Sequence, residues 1–94
     1  MAFYAYLLRC NDGSYYAGHT DNLEHRLAQH AIGQGAGYVA MRRPAVLVWS
    51  EAFPTRDKAL AGELRVKGWS RAKKKALIAG DWARIQALAR NRQD

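Results

Sequence analysis

Residues 2–9 are rich in aromatic and aliphatic side chains, Asn11-Asp12-Gly13 interrupts them, and a second short β-type run follows over residues 15–19. Two extended runs joined by Asn-Asp-Gly predict a hairpin. Its turn can close in two ways. A two-residue Asp12-Gly13 loop pairs Arg9 with Tyr16 and sends Tyr6 and Tyr16 to opposite faces. A three-residue loop, with Asn11 and Asp12 in a type I turn and Gly13 left-handed in a G1 bulge, pairs Leu8 with Tyr16 and Tyr6 with Gly18. The two tyrosines then share a face as diagonal neighbours, roughly 7–8 Å apart, and Gly18 leaves room beside the Tyr6 ring. The three-residue loop is the expectation adopted.

Beyond the hairpin the apolar period lengthens. Thr20-Asp21-Asn22 supplies helix-capping residues, and Asp21 with Glu24 three positions on fits a capping box, predicting a helix over about residues 22–32 that Gly33 and Gly35 end. Leu23, Leu27 and Ala31 form its core stripe, with Arg26 and His30 along one margin and His25 outward. Residues 35–44 read as a loop, with room for one helical turn, carrying Tyr38, Arg42 and Arg43. Residues 45–53 read as a third strand, buried on both sides at its Ala-Val-Leu-Val centre. Thr55 is a plausible N-cap for the next helix, Gly68 breaks it, Ser70 caps a basic helix through Ala79, and Asp81 caps a last one that fades into residues 91–94. The order ββαβααα predicts an α+β domain, a small three-stranded antiparallel sheet flanked by helices. Residues 1–80 carry the main domain, and residues 81–94 are its C-terminal helix and tail.

One carboxylate departs from this pattern. Winding residues 57–67 at about 100° per residue places Glu63 on the apolar side, between Ala59 and Leu60 and flanked by Leu64 and Val66. An ionised carboxylate against a core costs several kcal/mol, roughly, unless a hydrogen bond, cation or metal compensates. The plain explanation is an i,i+4 ion pair with Lys67, which contributes only about 0.2–0.5 kcal/mol.

Composition narrows the function. Fifteen Lys and Arg against eight Asp and Glu give a net charge of +7 over 94 residues, which points to a polyanionic partner, nucleic acid first. Six of those cations, Arg65, Lys67, Arg71, Lys73, Lys74 and Lys75, cluster around Trp69 and predict a phosphate-tracking surface with a stacking platform; Arg42 and Arg43 add a second strip. The longest purely apolar run covers residues 45–49, far below the roughly 20 needed to cross a bilayer, so a cytoplasmic protein without a membrane partner is expected. The lone Cys10 has no internal disulfide partner and reads as a packing residue.

Tyr4-Ala5-Tyr6, Tyr16-Ala17-Gly18, Arg26 on the following helix and Glu63 on a later one resemble the GIY-YIG nuclease superfamily in order and spacing, over about residues 3–78. Residues 7–18 together with Lys67-Gly68-Trp69-Ser70-Arg71-Ala72-Lys73-Lys74 are similar, more narrowly, to the small stand-alone bacterial members. They are also similar to the nuclease domain of structure-specific Holliday-junction endonucleases. Tyr4-Ala5-Tyr6 stands where the name-giving motif has Gly-Ile-Tyr, and Tyr16-Ala17-Gly18 where it has Tyr-Ile-Gly. Both tyrosines and the second glycine are kept. Many members carry an Asn downstream of the metal-binding Glu; Asn91 falls in the tail and is not assigned that part.

The resemblance implies a metal-dependent DNA endonuclease of low sequence specificity, selective for structure, acting in repair or recombination. Glu63 would hold Mg²⁺ or Mn²⁺, since a single carboxylate suits a cation that keeps most of its waters. Tyr6 would serve as general base, with His30 as sharer of that duty or phosphate contact, and Tyr16 would orient water or the scissile phosphate. Arg26 would fork onto phosphate oxygens. His19 would contact the leaving group or have no role. The expected partners are branched, nicked or single-stranded DNA, RNA as a further substrate, and a protein that supplies specificity. A second reading is a nucleic-acid-binding module of the same fold that needs a partner subunit for activity; a third is a structural or RNA-associated protein in which Glu63 and the tyrosines only pack.

Overall fold

The computed structural model describes residues 2–90. Its elements run β1 (Phe3–Arg9), β2 (Tyr15–Thr20), α1 (Leu23–Ala31), α2 (Gly37–Ala40), β3 (Val46–Phe53), α3 (Arg56–Lys67), α4 (Arg71–Ala79) and α5 (Trp82–Arg90). The sheet is antiparallel in the order β2-β1-β3. Helices cover both faces, so β1 is buried on both, and Ala5, Tyr6, Leu7 and Leu8 are its innermost residues. The alternation along β1 sorts the core in two. Leu7 packs with Ala17, Val66, Ala76, Leu77 and Ile85 on the side of α3, α4 and α5. Tyr6 and Leu8 pack with Val39, Leu23 and Leu27 on the side of α1 and α2.

The hairpin has the three-residue loop. Leu8 faces Tyr16 and Tyr6 faces Gly18; the Cys10 N–H donates to the Ser14 carbonyl at 2.8 Å, the Gly13 N–H to the Cys10 carbonyl at 3.0 Å, and Gly13 is left-handed at φ 84°. Both layers grip the tip. Arg42 Nε donates to Asp12 Oδ2 at 3.1 Å, and the Asn11 amide donates to the Arg43 carbonyl at 2.8 Å, from one side. Arg71 donates to the Gly13 carbonyl at 2.8 Å from the other.

Four expectations need correction. Asn22, and not Asp21, caps α1 by accepting from the His25 N–H at 3.1 Å; its shorter reach to that donor displaces the Asp21–Glu24 box. The stripe of α1 ends on His30, 3% exposed, while Ala31 lies outside, because residues 23, 27 and 30 follow the i, i+4, i+7 spacing of one helix face and Ala31 falls to its side. β3 is an edge strand with Val46 half exposed, because β1 and not β3 occupies the middle of the sheet. In α3 the sheet-facing line is Ala59, Gly62 and Val66, and Leu60 and Leu64 face solvent. The caps Thr55, Ser70 and Asp81 accept from the N–H groups of Lys58, Lys73 and Arg84, as their positions predicted.

Candidate active site

The site forms around the free edge of β2. Tyr6 stands on the central strand, so its ring must cross β2 to reach that edge. Gly18 is what permits the crossing: a Cβ there would lie 2.5 Å from both Cζ and the hydroxyl of Tyr6. The ring is 1% exposed, and its hydroxyl lies 2.8 Å from Nε2 of His30, arriving from α1. Gly35 closes over the other side of that imidazole, where a Cβ would collide with it. His30 Nδ1 is buried without a hydrogen-bond partner. The ring is thus held by shape and by Tyr6 alone. Tyr16 meets the same imidazole edge-on at 5.6 Å between centroids, and its outer face stacks on Tyr38 at 6.2 Å.

Arg26, one turn before His30, stands beside both phenols. Burial pushes the Tyr6 hydroxyl above its ordinary pKa; the nearby Arg26 guanidinium, whose Nη1 donates to Gln29 Oε1 at 3.2 Å, pulls back part of that rise, and the charges of Tyr16 and Glu63 add to it. The same approach to Tyr6, against burial, raises the guanidinium above its usual value. Burial, then the Arg26 charge, lowers the His30 pKa, so that the imidazole is neutral at pH 7. A neutral imidazole hydrogen-bonded to a neutral phenol is one acid–base unit. A proton taken up at either atom is felt at the other.

Glu63 comes from the opposite layer. Because α3 lies on the Ala17 and His19 face of β2, the carboxylate meets the β2 edge from behind, and its Oε1 accepts from His19 Nδ1 at 2.6 Å. The expected ion pair with Lys67 does not form; Glu63 has no other hydrogen bond or ion pair among the described residues. The side chain is 13% exposed. Among the described residues no cluster of three His, Cys, Asp or Glu side chains is placed to cage a metal. At this edge Glu63, held by His19, is the carboxylate that could hold a hard cation. His19 is the residue that sequence reasoning undervalued. The signal was its place directly after Gly18, which turns it to the face that α3 must cover.

The structure brings Tyr6, Tyr16, Arg26, His30 and Glu63 to one edge. It divides the basic set. An open groove of about 330 Å³ leads from Tyr16 between Tyr15, Ala17, Tyr38, Lys67 and Lys74. Burial and the neighbouring Arg71 lower the Lys74 pKa. Arg65, Lys67, Arg71 and Lys75 are exposed. Lys73 is not part of that surface: it is 8% exposed, and its ammonium lies 4.5 Å over the ring of Trp69, itself packed on the core. Lys73 thus covers one face of Trp69, which lies half buried in the link between α3 and α4 and looks toward Arg65, away from Lys67 and Lys74. Arg42 and Arg43 also differ from the expected contact strip. Arg42 stacks on Tyr38 at 3.7 Å and bonds Asp12, and Arg43 donates to the carbonyls of Ala40 and Ala31, so both hold the 35–44 segment in place. Asn91 lies outside the described residues.

The model of the GIY-YIG catalytic domain matches residues 2–76. The chain belongs to the GIY-YIG family. Its similarity to GIY-YIG-sized relatives extends over most of both partners: 45% identity with the UPF0213 protein of Staphylococcus saprophyticus, covering 81% of this chain and 93% of that one, and 47% with the UPF0213 protein of Bacillus pumilus, covering 80% and 76%. The solution NMR structure of the UPF0213 protein from Bacillus halodurans superposes with a TM-score of 0.54 at 43% identity and 84% of each chain. That of the protein EF2693 from E. faecalis gives 0.58 at 38% and 85%. The GIY-YIG fold, a nuclease fold acting on nucleic acid, is therefore the frame in which the β2 edge is read. No described helix is long and apolar enough to cross a membrane.

Proposed function

We propose that the protein is a divalent-metal-dependent endonuclease that hydrolyses DNA phosphodiester bonds with selectivity for structure over sequence. The observation that carries this reading is the convergence of Tyr6, His30, Arg26 and Glu63 on one sheet edge from two opposite helical layers, beside a groove lined by Lys67 and Lys74. Packing alone gives no reason for a carboxylate tied to His19 and a guanidinium beside the Tyr6–His30 pair to meet at the same strand edge.

Glu63, oriented by His19, would hold Mg²⁺ or Mn²⁺, which supplies electrophilic stabilisation of the charge that develops on phosphate oxygens. The remaining work falls to the chain. The Tyr6 hydroxyl passes its proton to Nε2 of the neutral His30 as its oxygen accepts one from the attacking water, so that the imidazole ends as the base that holds the proton. Arg26 fixes two phosphate oxygens with its planar fork and favours the more negative pentacovalent arrangement over the ground state. Tyr16, held between His30 and Tyr38, orients the phosphate. Lys67 and Lys74 contact the backbone without reading bases, so shape and strand separation decide the substrate. Branched, nicked and single-stranded DNA are the substrates to examine first, in a repair or recombination setting.

Glu63→Ala tests the proposal. On a panel of single-stranded, nicked, flapped and four-way DNA with Mg²⁺, Mn²⁺ or chelator, cleavage should fall at least ~10²-fold while binding is largely kept. Cleavage unchanged in the variant, or equal with chelator, refutes it.

A further inference from the structure

On the far flank of α3 from Glu63 lies a second cavity, of about 350 Å³, bounded by β3, α3, α4 and α5. The chain has three tryptophans, and all of them, Trp49, Trp69 and Trp82, line it. Trp82 leaves 56% of its surface exposed, far more than a ring recruited for packing alone. None of the three indole N–H groups has a hydrogen-bond partner among the described residues, and none is sealed from solvent. At the rim stand Lys58 and Arg65, exposed and without an ion pair among the described residues, and one carboxylate, Glu51, equally unengaged. Flat rings as walls, cations outside and an acceptor at the edge match one class of ligand. Aromatic faces stack on a heterocycle whatever its identity. A carboxylate accepts from an exocyclic amino group, and two free cations suit the phosphates on either side. An apolar peptide would use the walls and leave both cations idle.

We infer that this cavity is a second nucleic-acid subsite, which takes an unpaired base of a strand whose neighbouring phosphates lie on Lys58 and Arg65. That the strand belongs to the substrate rests on the nuclease reading above; the cavity and its chemistry do not. Arg65 follows Glu63 by two residues on the same helix. A strand leaving the β2 edge has only the thickness of one helix to cross, about 10 Å. The subsite gives a physical origin for selectivity toward unpaired DNA, because a base within a duplex cannot enter it without unstacking.

Since every tryptophan lies in the cavity, tryptophan emission excited where the five tyrosines do not absorb reports on it alone. Titration with a ten-nucleotide oligodeoxycytidylate, whose bases carry the exocyclic amino group, in EDTA, where no cleavage occurs, should quench that emission saturably, and a blunt duplex of equal length should quench it far less. Affinity should drop about tenfold in Trp82→Ala and in Arg65→Glu. Circular dichroism and thermal melting establish that each variant is folded; should Trp82→Ala fail to fold, the exposed Arg65→Glu decides. Unchanged affinity in the folded variants overturns the subsite, as does equal quenching by the duplex. An emission change that follows protein concentration without oligonucleotide also overturns it, since the cavity would then be a contact between copies. The two readings fail separately. Metal-dependent cleavage without quenching removes the subsite and leaves the nuclease; quenching without cleavage under any metal does the reverse.

Discussion

At the β2 edge of the sheet the chain gathers polar groups from both helical layers, whereas at the β3 edge it gathers aromatic rings from one. Both strands end the same sheet and both would otherwise present unpaired backbone to a passing strand. The difference originates in β1. Tyr6 lies opposite Gly18 on one side and Ser50 on the other, and only the first partner lacks a Cβ that would stop the ring. The phenol therefore tips toward β2, where α1 and α3 can both reach it. On the opposite side the residues that cross toward α3 are Trp49, Glu51 and Phe53, too large and too spaced to bring titratable groups into contact. Acid–base chemistry thus collects where a glycine opens a path across the sheet, and stacking surface collects where no such path exists.

The sharpest way to break this contrast is Gly18→Ala. The added methyl has no room beside the Tyr6 hydroxyl, so the ring must leave its position, with a loss of about 1–3 kcal/mol in chemical denaturation and a collapse of cleavage on the same DNA panel. Retention of both would show that Tyr6 does not depend on the gap.

An intermediate effect is expected from His30. Its pKa in the folded state is depressed by burial first and by Arg26 second, so below the unfolded value of about 6.5 the unfolded chain binds a proton that the folded chain resists. Stability should therefore be constant from pH 8 to about 7 and decline as the pH falls through 6.5, with a slope of at most about 1.4 kcal/mol per pH unit. In His30→Gln that decline should flatten when urea midpoints at pH 5.5 and 7.5 are compared. An identical decline in the variant would place its source elsewhere.

The smallest effect belongs to the β3 edge. Trp82→Ala should change global stability by no more than about 0.5 kcal/mol, because the ring is mostly in water. A large loss would mean that Trp82 closes the core, and the contrast between a working edge and a stacking edge would weaken.

The hairpin was legible because turn chemistry is local: Asn11-Asp12-Gly13 admits few closures, and the one that places both tyrosines on a face is the one observed. The helix caps were legible for the same reason. What escaped was decided by which strand lies in the middle. Nothing in residues 45–53 declares an edge, because Ala-Val-Leu-Val reads alike under one covering helix or two. The partner of Glu63 was hidden too, since His19 lies 44 positions away and meets it only after α3 has docked. Basic residues were legible as a total charge and not as a surface. Lys73 turns inward onto Trp69, and Arg42 and Arg43 bind carbonyls and Asp12, because long side chains serve whichever acceptor the fold brings near.

The clasp on the hairpin tip has a consequence for what the chain can tolerate. One additional residue within 11–13 would slip β2 by a single position against β1 and turn every side chain of that strand over. Tyr16 would then point at α3, and His19 would take a place among α1 and Arg26, exchanging a phenol for an imidazole at the same edge. The length of three residues, more than the identity of any one of them, guards the chemistry against evolutionary drift.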